Sequence, residues 1–417
     1  MSRRIVQKYG GTSVGTPERI SAVAGRVKRA HDDGSSIAVV VSAMSGETNR
    51  LLHLASQVSK APLTREMDVL VSTGEQVTTA LLSMALQDLG VPALSLQGHQ
   101  VRIATDSSHG RARIRAIDKS RIEEAFEAGR VVVIAGFQGI DDQQNITTLG
   151  RGGSDTTAVA IAASLGADCE IYTDVDGVYT TDPRICPQAF KLARVSHEEM
   201  LEMASLGAKV LQTRSVECAL RFSVPVHVRS SFDDNDELTG TWVVPEEASM
   251  EEVLVSGIPA DKNQAKITMQ GVPDIPGLAG RIFGSLAANG VVVDMIVQNA
   301  SSDGDRTDLT FTVGKSDRSK AQRLVEDIRE EIGAKEVVSS DAVGKVSVVG
   351  LGMRSHAGVA ADMFTVLADE GINIQMISTS EIKISVIVDL DQVDRAVNVL
   401  HAKFFAERTS VSEGADG

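Results

Sequence analysis

The chain has 417 residues, of which 42% are hydrophobic and 23% charged, and a net charge of −15. At about 150 residues per domain this length gives two to four domains of ordinary globular type, and the acidic balance disfavours nucleic acid and anionic membranes as partners. Cys169, Cys186 and Cys218 form no C-x-x-C pair, which reads as a reduced, cytoplasmic chain without a structural metal. The N-terminus has no apolar leader, and apolar runs such as Ile37–Val41 and Ala158–Ala163 are too short to span a bilayer.

Through residue 230, short β-branched runs alternate with helical patterns. Strands are expected at Arg4–Lys8, Ser36–Val41, Ala93–Leu96, Arg130–Ala135, Glu170–Asp174 and Val226–Arg229. In the helix Pro17–His31, Thr16 caps, Pro17 sits in the first turn, and Ile20, Val23, Ala24 and Val27 mark one apolar face. Such alternation predicts an α/β fold with an open, mainly parallel sheet sandwiched by helices. Ligands of these sheets bind beyond the carboxyl ends of the strands, so the residues that follow each strand are the first candidates.

The first strand ends in Lys8-Tyr9-Gly10-Gly11-Thr12-Ser13-Val14-Gly15, and a helix follows. A glycine-rich turn into a helix N-terminus offers free N–H groups and the positive end of a dipole, which suits phosphate. Taken alone, the block reads equally well as a glycine turn with a solvated lysine. It is not a P-loop. Gly314-Lys315-Ser316 has the P-loop ending, but Leu309 stands where the first glycine belongs, and no G-x-G-x-x-G opens a helix. The second strand runs into Ser42-Ala43-Met44-Ser45-Gly46-Glu47-Thr48, small hydroxyl residues that bind phosphate or simply cap a helix. Thr73-Gly74-Glu75-Gln76 precedes a helix expected over Gln76–Leu89; Glu75 either meets an ammonium group or is a first-turn carboxylate favoured by the dipole. Gly150-Arg151-Gly152-Gly153-Ser154-Asp155-Thr156-Thr157 is more telling. It gathers a guanidinium, glycines and hydroxyls at the start of a helix expected over Asp155–Leu165, where a structural cap needs only one of them. Thr173-Asp174-Val175-Asp176-Gly177-Val178-Tyr179, with Thr181-Asp182-Pro183-Arg184 behind it, is either a nucleotide-holding turn or an ordinary Asp/Gly turn.

Acidic stretches at 233–237 and 246–252 mark a linker, and beyond it the chain repeats itself. Lys266–Gly271 matches Lys345–Gly350, and Pro276-Gly277 aligns with Ala357-Gly358. Phe283, Leu286, Gly290, Val293 and Met295 align with Phe364, Leu367, Gly371, Ile374 and Met376, a period of roughly 80 residues. Each unit reads strand, turn, helix, strand, strand, helix, a small α+β layer. The first can finish with a strand at Glu336–Ser339. The second has no such strand, and Val253–Ile258 is expected to supply it, interlocking the units.

The blocks KYGGTSVG, SAMSGETN, STGEQ, TTLGRGGSDTTA and YTDVDGVYTTDPR resemble, in this order, the signature blocks of aspartate kinases within the amino-acid kinase superfamily. The repeat resembles the paired ACT domains of the monofunctional, lysine-pathway members, and the resemblance covers essentially the whole chain. It implies an amino-acid kinase fold over residues 1–245 and a linker over 246–265, with a strand completing the second ACT domain. Two βαββαβ ACT-like domains follow, over 266–343 and 344–417. It further implies that ATP and L-aspartate lie across the carboxyl edge of the sheet and that the β-carboxylate of aspartate attacks the γ-phosphate. Lys8 is then the catalytic charge on the transferring phosphoryl group, with N–H groups of Gly10 and Gly11 beside it. Glu75 takes the α-ammonium, and Arg151 a substrate carboxylate, near Ser42, Thr48 and Ser154. Asp155 organises the lysine. Tyr9, Thr173, Asp174, Tyr179, Arg184 and Lys209 belong to the nucleotide site. Mg²⁺ is implied on the ATP phosphates and water, with no protein ligand assigned. Lysine and threonine are implied as effectors at Asp274, Gly277, Ala279, Asp294, Gln298, Val359, Ala360, Asn373, Ile374, Ser380 and Glu381. Self-association through the ACT domains is implied too, in an α2β2 form if an ACT-only chain starts near Met250.

Two other readings stand beside this one. A kinase acting on acetylglutamate, glutamate or UMP is permitted by the first block but disfavoured by SAMSGETN, STGEQ and the ACT pair. A non-catalytic amino-acid sensor has no need of Lys8, Glu75, Arg151 and Asp155. Fusion to homoserine dehydrogenase is excluded by length and by the missing dinucleotide motif.

Overall fold

The computed structural model describes residues 3–208, 210–233, 240–246, 254–298, 306–354, 356 and 358–412. It divides into two compact units. The first comprises Met1–Val178, Lys191–Ser205 and Lys209–Ala248, and the second Tyr179–Phe190, Leu206–Ala208 and Ser249–Gly417.

The first unit begins β1 (Arg4–Tyr9), α1 (Pro17–Asp32), β2 (Ser36–Val41), α2 (Glu47–Val58), α3 (Thr64–Val71), α4 (Thr73–Asp88), β3 (Ala93–Leu96), β4 (Ile103–Thr105) and β5 (Ile114–Ile117). It continues α5 (Ser120–Glu127), β6 (Val131–Ala135), β7 (Gln138–Ile140), β8 (Ile146–Thr148), α6 (Gly153–Leu165) and β9 (Asp168–Thr173). It ends with β10 (Arg194–Ser196), α7 (His197–Ser205), α8 (Thr213–Phe222), β11 (Val226–Ser230) and β12 (Thr241–Val244). Eight strands form one sheet in the order β10-β12-β11-β9-β1-β2-β6-β3, with β11–β12 the antiparallel pair. Ile37–Val41 of β2 and all of β6 are apolar on both faces because helices cover both. On one side Ile20, Val23 and Val27 of α1 and Leu82 and Leu86 of α4 pack against Val39, Val41 and Val133.

The six expected strands are present, within two residues at each end. Two helices start earlier than expected: α4 at Thr73, which puts Glu75 inside its first turn, and α6 at Gly153. The four-stranded sheet β5-β4-β7-β8 was not foreseen. Thr64–Asp88 is apolar and long enough by composition to cross a membrane, against the expectation of no such stretch. Half of its most apolar window is buried inside the fold, as in a core helix.

A buried carboxylate ties the small sheet to α3. Asp68 accepts from Gly110 N–H at 3.0 Å and from Thr148 Oγ1 at 2.5 Å, and His109 Nδ1 lies 2.8 Å away. Removing it leaves three polar groups without their partner. Asp68→Ala is therefore expected to destabilise the first unit by about 2–4 kcal/mol, read as a lowered urea midpoint at unchanged m-value.

The second unit contains β13 (Ala260–Pro273), α9 (Leu278–Ala288), β14 (Val293–Gln298), β15 (Arg306–Gly314), α10 (Arg318–Ile332), β16 (Glu336–Val349), α11 (Gly358–Asp369), β17 (Met376–Thr379), β18 (Lys383–Asp389) and α12 (Val393–Ser412). Its six strands run β14-β15-β13-β16-β18-β17, so the two repeats share one sheet. β16 is continuous through the end of the first repeat and the start of the second, and β13 pairs along it antiparallel. Of Val253–Ile258, the described part begins at Leu254. Ser256 and Gly257 N–H donate to Val349 O at 2.8 and 3.1 Å, and Val349 N–H donates back to Gly257 O at 2.9 Å. The segment thus lies beside the first strand of the second repeat. One apolar layer joins Ile267, Phe311, Ile282 and Val325 under α9 and α10. Another joins Val346, Val386, Met363 and Leu400 under α11 and α12.

Candidate active site

β9, β1, β2 and β6 are neighbours in the sheet, and their carboxyl ends bring four of the sequence blocks to one edge. At β1, the Lys8 ammonium lies 2.6 Å from the Asp155 carboxylate on the first turn of α6, and both side chains are about nine-tenths buried. A bare lysine is costly in such a place; Asp155 supplies the countercharge and fixes where the ammonium sits. Residue 11 has to be glycine, since a Cβ there would stand 2.9 Å from Ala43 O. That close approach brings the β1 turn against the end of β2. The Gly11 N–H has no partner among the described residues, while the Gly10 N–H already reaches Tyr172 O at 3.4 Å. Ser42 N–H donates to Tyr9 O at 3.1 Å, and Ser154 lies against Gly136 at the end of β6.

Glu75 belongs to the same edge. Its Oε1 accepts from Ala43 N–H at 3.1 Å, and its Oε2 is buried without a hydrogen-bond partner among the described residues. Burial pushes its carboxyl up to about 7, with the Ala43 hydrogen bond pulling the other way. A buried carboxylate oxygen left open in this way has room for one more hydrogen-bond donor.

The Gly150–Gly153 turn is held from behind by Arg214, which donates to Leu149 O and, at 2.9 Å, to Ala112 O. Gly152 adopts φ +69°, and a Cβ there would overlap the Gln212 side chain at 2.1 Å. Arg151, in this turn, is exposed, and its side chain makes no hydrogen bond or ion pair among the described residues. Thr48 is partly exposed in the first turn of α2. At the end of β9, Thr173 Oγ1 donates to Asp174, and Thr173 O accepts from Ser231 N–H at 2.8 Å and Ser231 Oγ at 3.0 Å. Ser231 Oγ also meets Ser13 Oγ at 2.8 Å. Arg214, Ser231 and Gly136 shape this edge and were not singled out from sequence, because no local pattern marks them; Ser13 lies within the glycine-rich block that follows β1.

Several expected site residues are placed differently. The Tyr9 side chain is fully buried, stacked on Tyr172 with centroids 4.7 Å apart, and its hydroxyl donates to Gln7. It has no path to a nucleotide, because the alternation of β1 turns Tyr9 to the face opposite Lys8. Tyr179 and Arg184 belong to the second unit, where Arg184 is exposed and paired with Asp182 at 2.7 Å. Lys209 lies outside the described residues, as does Met250.

Among the effector positions, Asp274, Gly277, Ala279, Gln298, Asn373, Ser380 and Glu381 are exposed, and Ala360 and Ile374 are partly so. Val359 is buried in the core under α11 and α12, so its side chain is packing rather than a ligand contact. Asp294 already holds an ammonium group: the buried Lys345 forms an ion pair with it. The repeat-related lysine, Lys266, reaches Gln375 Oε1 at 2.5 Å, so each repeat braces the other in the same way.

The profile of the Amino acid kinase family matches residues 3–230, and an ACT domain profile matches 267–328 and 346–404. An aspartate kinase of Pseudomonas putida is 58% identical over 402 residues, covering 96% of this chain and 97% of its own. An aspartokinase of Mycobacterium tuberculosis is 49% identical over 405 residues, covering 96% of both. The crystal structure of E. coli aspartokinase III in complex with aspartate and ADP superposes with a TM-score of 0.80 at 27% identity, over 97% of this chain and 100% of that one; its complex with lysine and aspartate gives 0.76. The chain belongs to the aspartate kinases of the amino acid kinase family, with ACT domains in its C-terminal part.

Proposed function

We propose that the chain transfers the γ-phosphoryl group of ATP to the β-carboxylate of L-aspartate, giving ADP and 4-phospho-L-aspartate, the first step towards lysine, threonine and methionine. The observation that carries this reading is the pairing, at one sheet edge, of the Lys8–Asp155 ion pair with the open carboxylate oxygen of Glu75. One end attracts phosphate, the other an ammonium group. The E. coli structure bound to aspartate and ADP supports the choice of these two ligands.

In the reaction, an oxygen of the β-carboxylate forms a bond to the γ-phosphorus as the bond to the ADP oxygen breaks. The carboxylate is ionised at neutral pH, so no general base is required, and the protein's task is positioning and charge neutralisation. Lys8 neutralises the transferring oxygens, and Asp155 holds it in place. Gly11 N–H donates to phosphate, with Gly10 contributing less because of its bond to Tyr172 O. Glu75 binds the α-ammonium. Arg151 binds a substrate carboxylate in bidentate fashion, flanked by Ser42, Thr48 and Ser154. Thr173 and Asp174 take the nucleotide, with Tyr179, Arg184 and Lys209 assigned to it by resemblance. Mg²⁺, when bound, shares the neutralisation of the ATP phosphates. Such an ion is held mainly by phosphate and water. We place the enzyme in the cytoplasm, where its three free cysteines stay reduced.

ADP release with L-aspartate, L-glutamate, acetylglutamate or UMP as acceptor tests this. Turnover with aspartate alone is expected, and turnover confined to another acceptor would overturn the assignment.

For the ACT repeats we infer binding of lysine and threonine, supported by the lysine complex of the E. coli relative. An inhibitor acts by favouring one of two conformations. The two amino acids added together are expected to suppress turnover more than either alone, and equal rates with and without the pair would refute this. Self-association through these repeats, as α2β2 if an internal start near Met250 is used, predicts a second, shorter chain co-purifying with the full-length one.

A further inference from the structure

A cavity of about 530 Å³ opens between β5, α6 and α8, away from the Lys8–Glu75 edge. Its size falls in the range of small-molecule sites, about 300–1,000 Å³. Ile117, Ala160, Ala163 and Phe222 give it apolar walls. Its charge is reversed relative to the chain: Arg113, Arg115, Arg214 and Arg221 line it against the single carboxylate of Glu217, in a protein of net charge −15. Among the described residues neither the Arg113 nor the Arg221 guanidinium pairs with a carboxylate; Arg113 meets Asp106 only through its backbone N–H, at 3.2 Å, and Arg221 leans over the Phe222 ring at 5.5 Å. Arg214 gives its hydrogen bonds to two neutral carbonyls, so its charge is uncompensated. Arg115 has a well-exposed partner, Asp142, at 3.5 Å.

We propose that this cavity is a second ligand site, for a small organic anion with an apolar body and a carboxylate or phosphate head. Arg113 and Arg221 hold the head, and the walls from β5, α6 and α8 hold the body. Unpaired guanidiniums beside apolar surface suit such a ligand, because each offers a planar fork to the anion and an apolar face to the body. The site also touches the phosphoryl-transfer edge through the backbone. Arg214 fixes Leu149 O, and Thr156 Oγ1, also in the lining, donates to Gly152 O at 3.1 Å. An occupant therefore rests on the two side chains that hold the Gly150–Gly153 turn. The proposal stands independently of the substrate assigned above.

The test uses the full-length chain and two probes of the same shape, 4-phenylbutyrate and the neutral 4-phenyl-1-butanol, titrated calorimetrically at low ionic strength. The carboxylate is expected to bind at least about tenfold more tightly. The double substitution Arg113→Gln with Arg221→Gln is expected to erase that preference while leaving the alcohol's affinity and the thermal midpoint unchanged. Equal affinity for the two probes, no binding of either at millimolar concentration, or a carboxylate preference that survives the double substitution would each overturn the proposal. The last outcome would place the anion elsewhere, at Lys8 for example.

Discussion

Lys8→Met is expected to lower kcat by about 10²–10³ while changing the KM for aspartate little, because the ammonium acts on charge that develops during transfer. It also leaves Asp155, only 8% exposed, without its countercharge, so the single variant loses stability as well as rate. The double variant Lys8→Met with Asp155→Asn separates the two effects. It is expected to regain thermal stability while kcat stays low. Restored turnover in the double variant would make the pair structural and move the catalytic charge elsewhere. Lys8→Arg is not a rescue, since a planar fork does not fit a position shaped around one ammonium 2.6 Å from Asp155.

Glu75→Gln is the second large effect, and its signature is in pH. Burial holds the Glu75 carboxyl at about 7, against 4.5 for an ordinary glutamate. A ligand ammonium requires the ionised form. The KM for aspartate should therefore fall about fivefold between pH 6 and pH 7 and level off above pH 8. In Glu75→Gln the KM is expected to be high and flat across that range. The sign for the fold is the reverse. Because the folded value lies above the unfolded one, the ligand-free protein loses stability as pH rises from 4.5 to about 7. The glutamine variant lacks that loss. A wild-type KM that does not vary between pH 6 and 8 would remove Glu75 from the ammonium site.

What the sequence disclosed follows from which interactions are local. Ile37–Val41 and Val131–Ala135 are unbroken apolar runs, mostly β-branched, because both sheet faces are covered, so the run itself announces the strand. The three-residue strands β4, β7 and β8 carry no alternation of their own and exist only through pairing with each other and with β5. Lys8, the last but one residue of β1, was legible from the glycine-rich turn that follows it, and Glu75, Arg151 and Asp155 from the helix starts and the glycine-marked turn in which they sit. The residues that hold them were not. Arg214 meets Leu149 across 65 positions, Asp68 meets Thr148 across 80, and Ser13 meets Ser231 across 218, with nothing in the local sequence to pair them. In the second unit the repeat revealed Lys266 and Lys345 as equivalents. Only the fold reveals that each crosses to the other repeat, one to the amide of Gln375 and one to the carboxylate of Asp294. Strand alternation gives the site only one face of β1, so Lys8 stands there while the Tyr9 side chain is buried against Tyr172.

The measurement that bears most directly on the account is trapping of the product with hydroxylamine, using L-aspartate, ATP and Mg²⁺ with the wild-type chain and with Lys8→Met. The account predicts that the wild type yields β-aspartyl hydroxamate and that the variant yields it at least about a hundredfold more slowly. Hydroxamate formed on the α-carboxyl, or formed equally fast without Lys8, would contradict it.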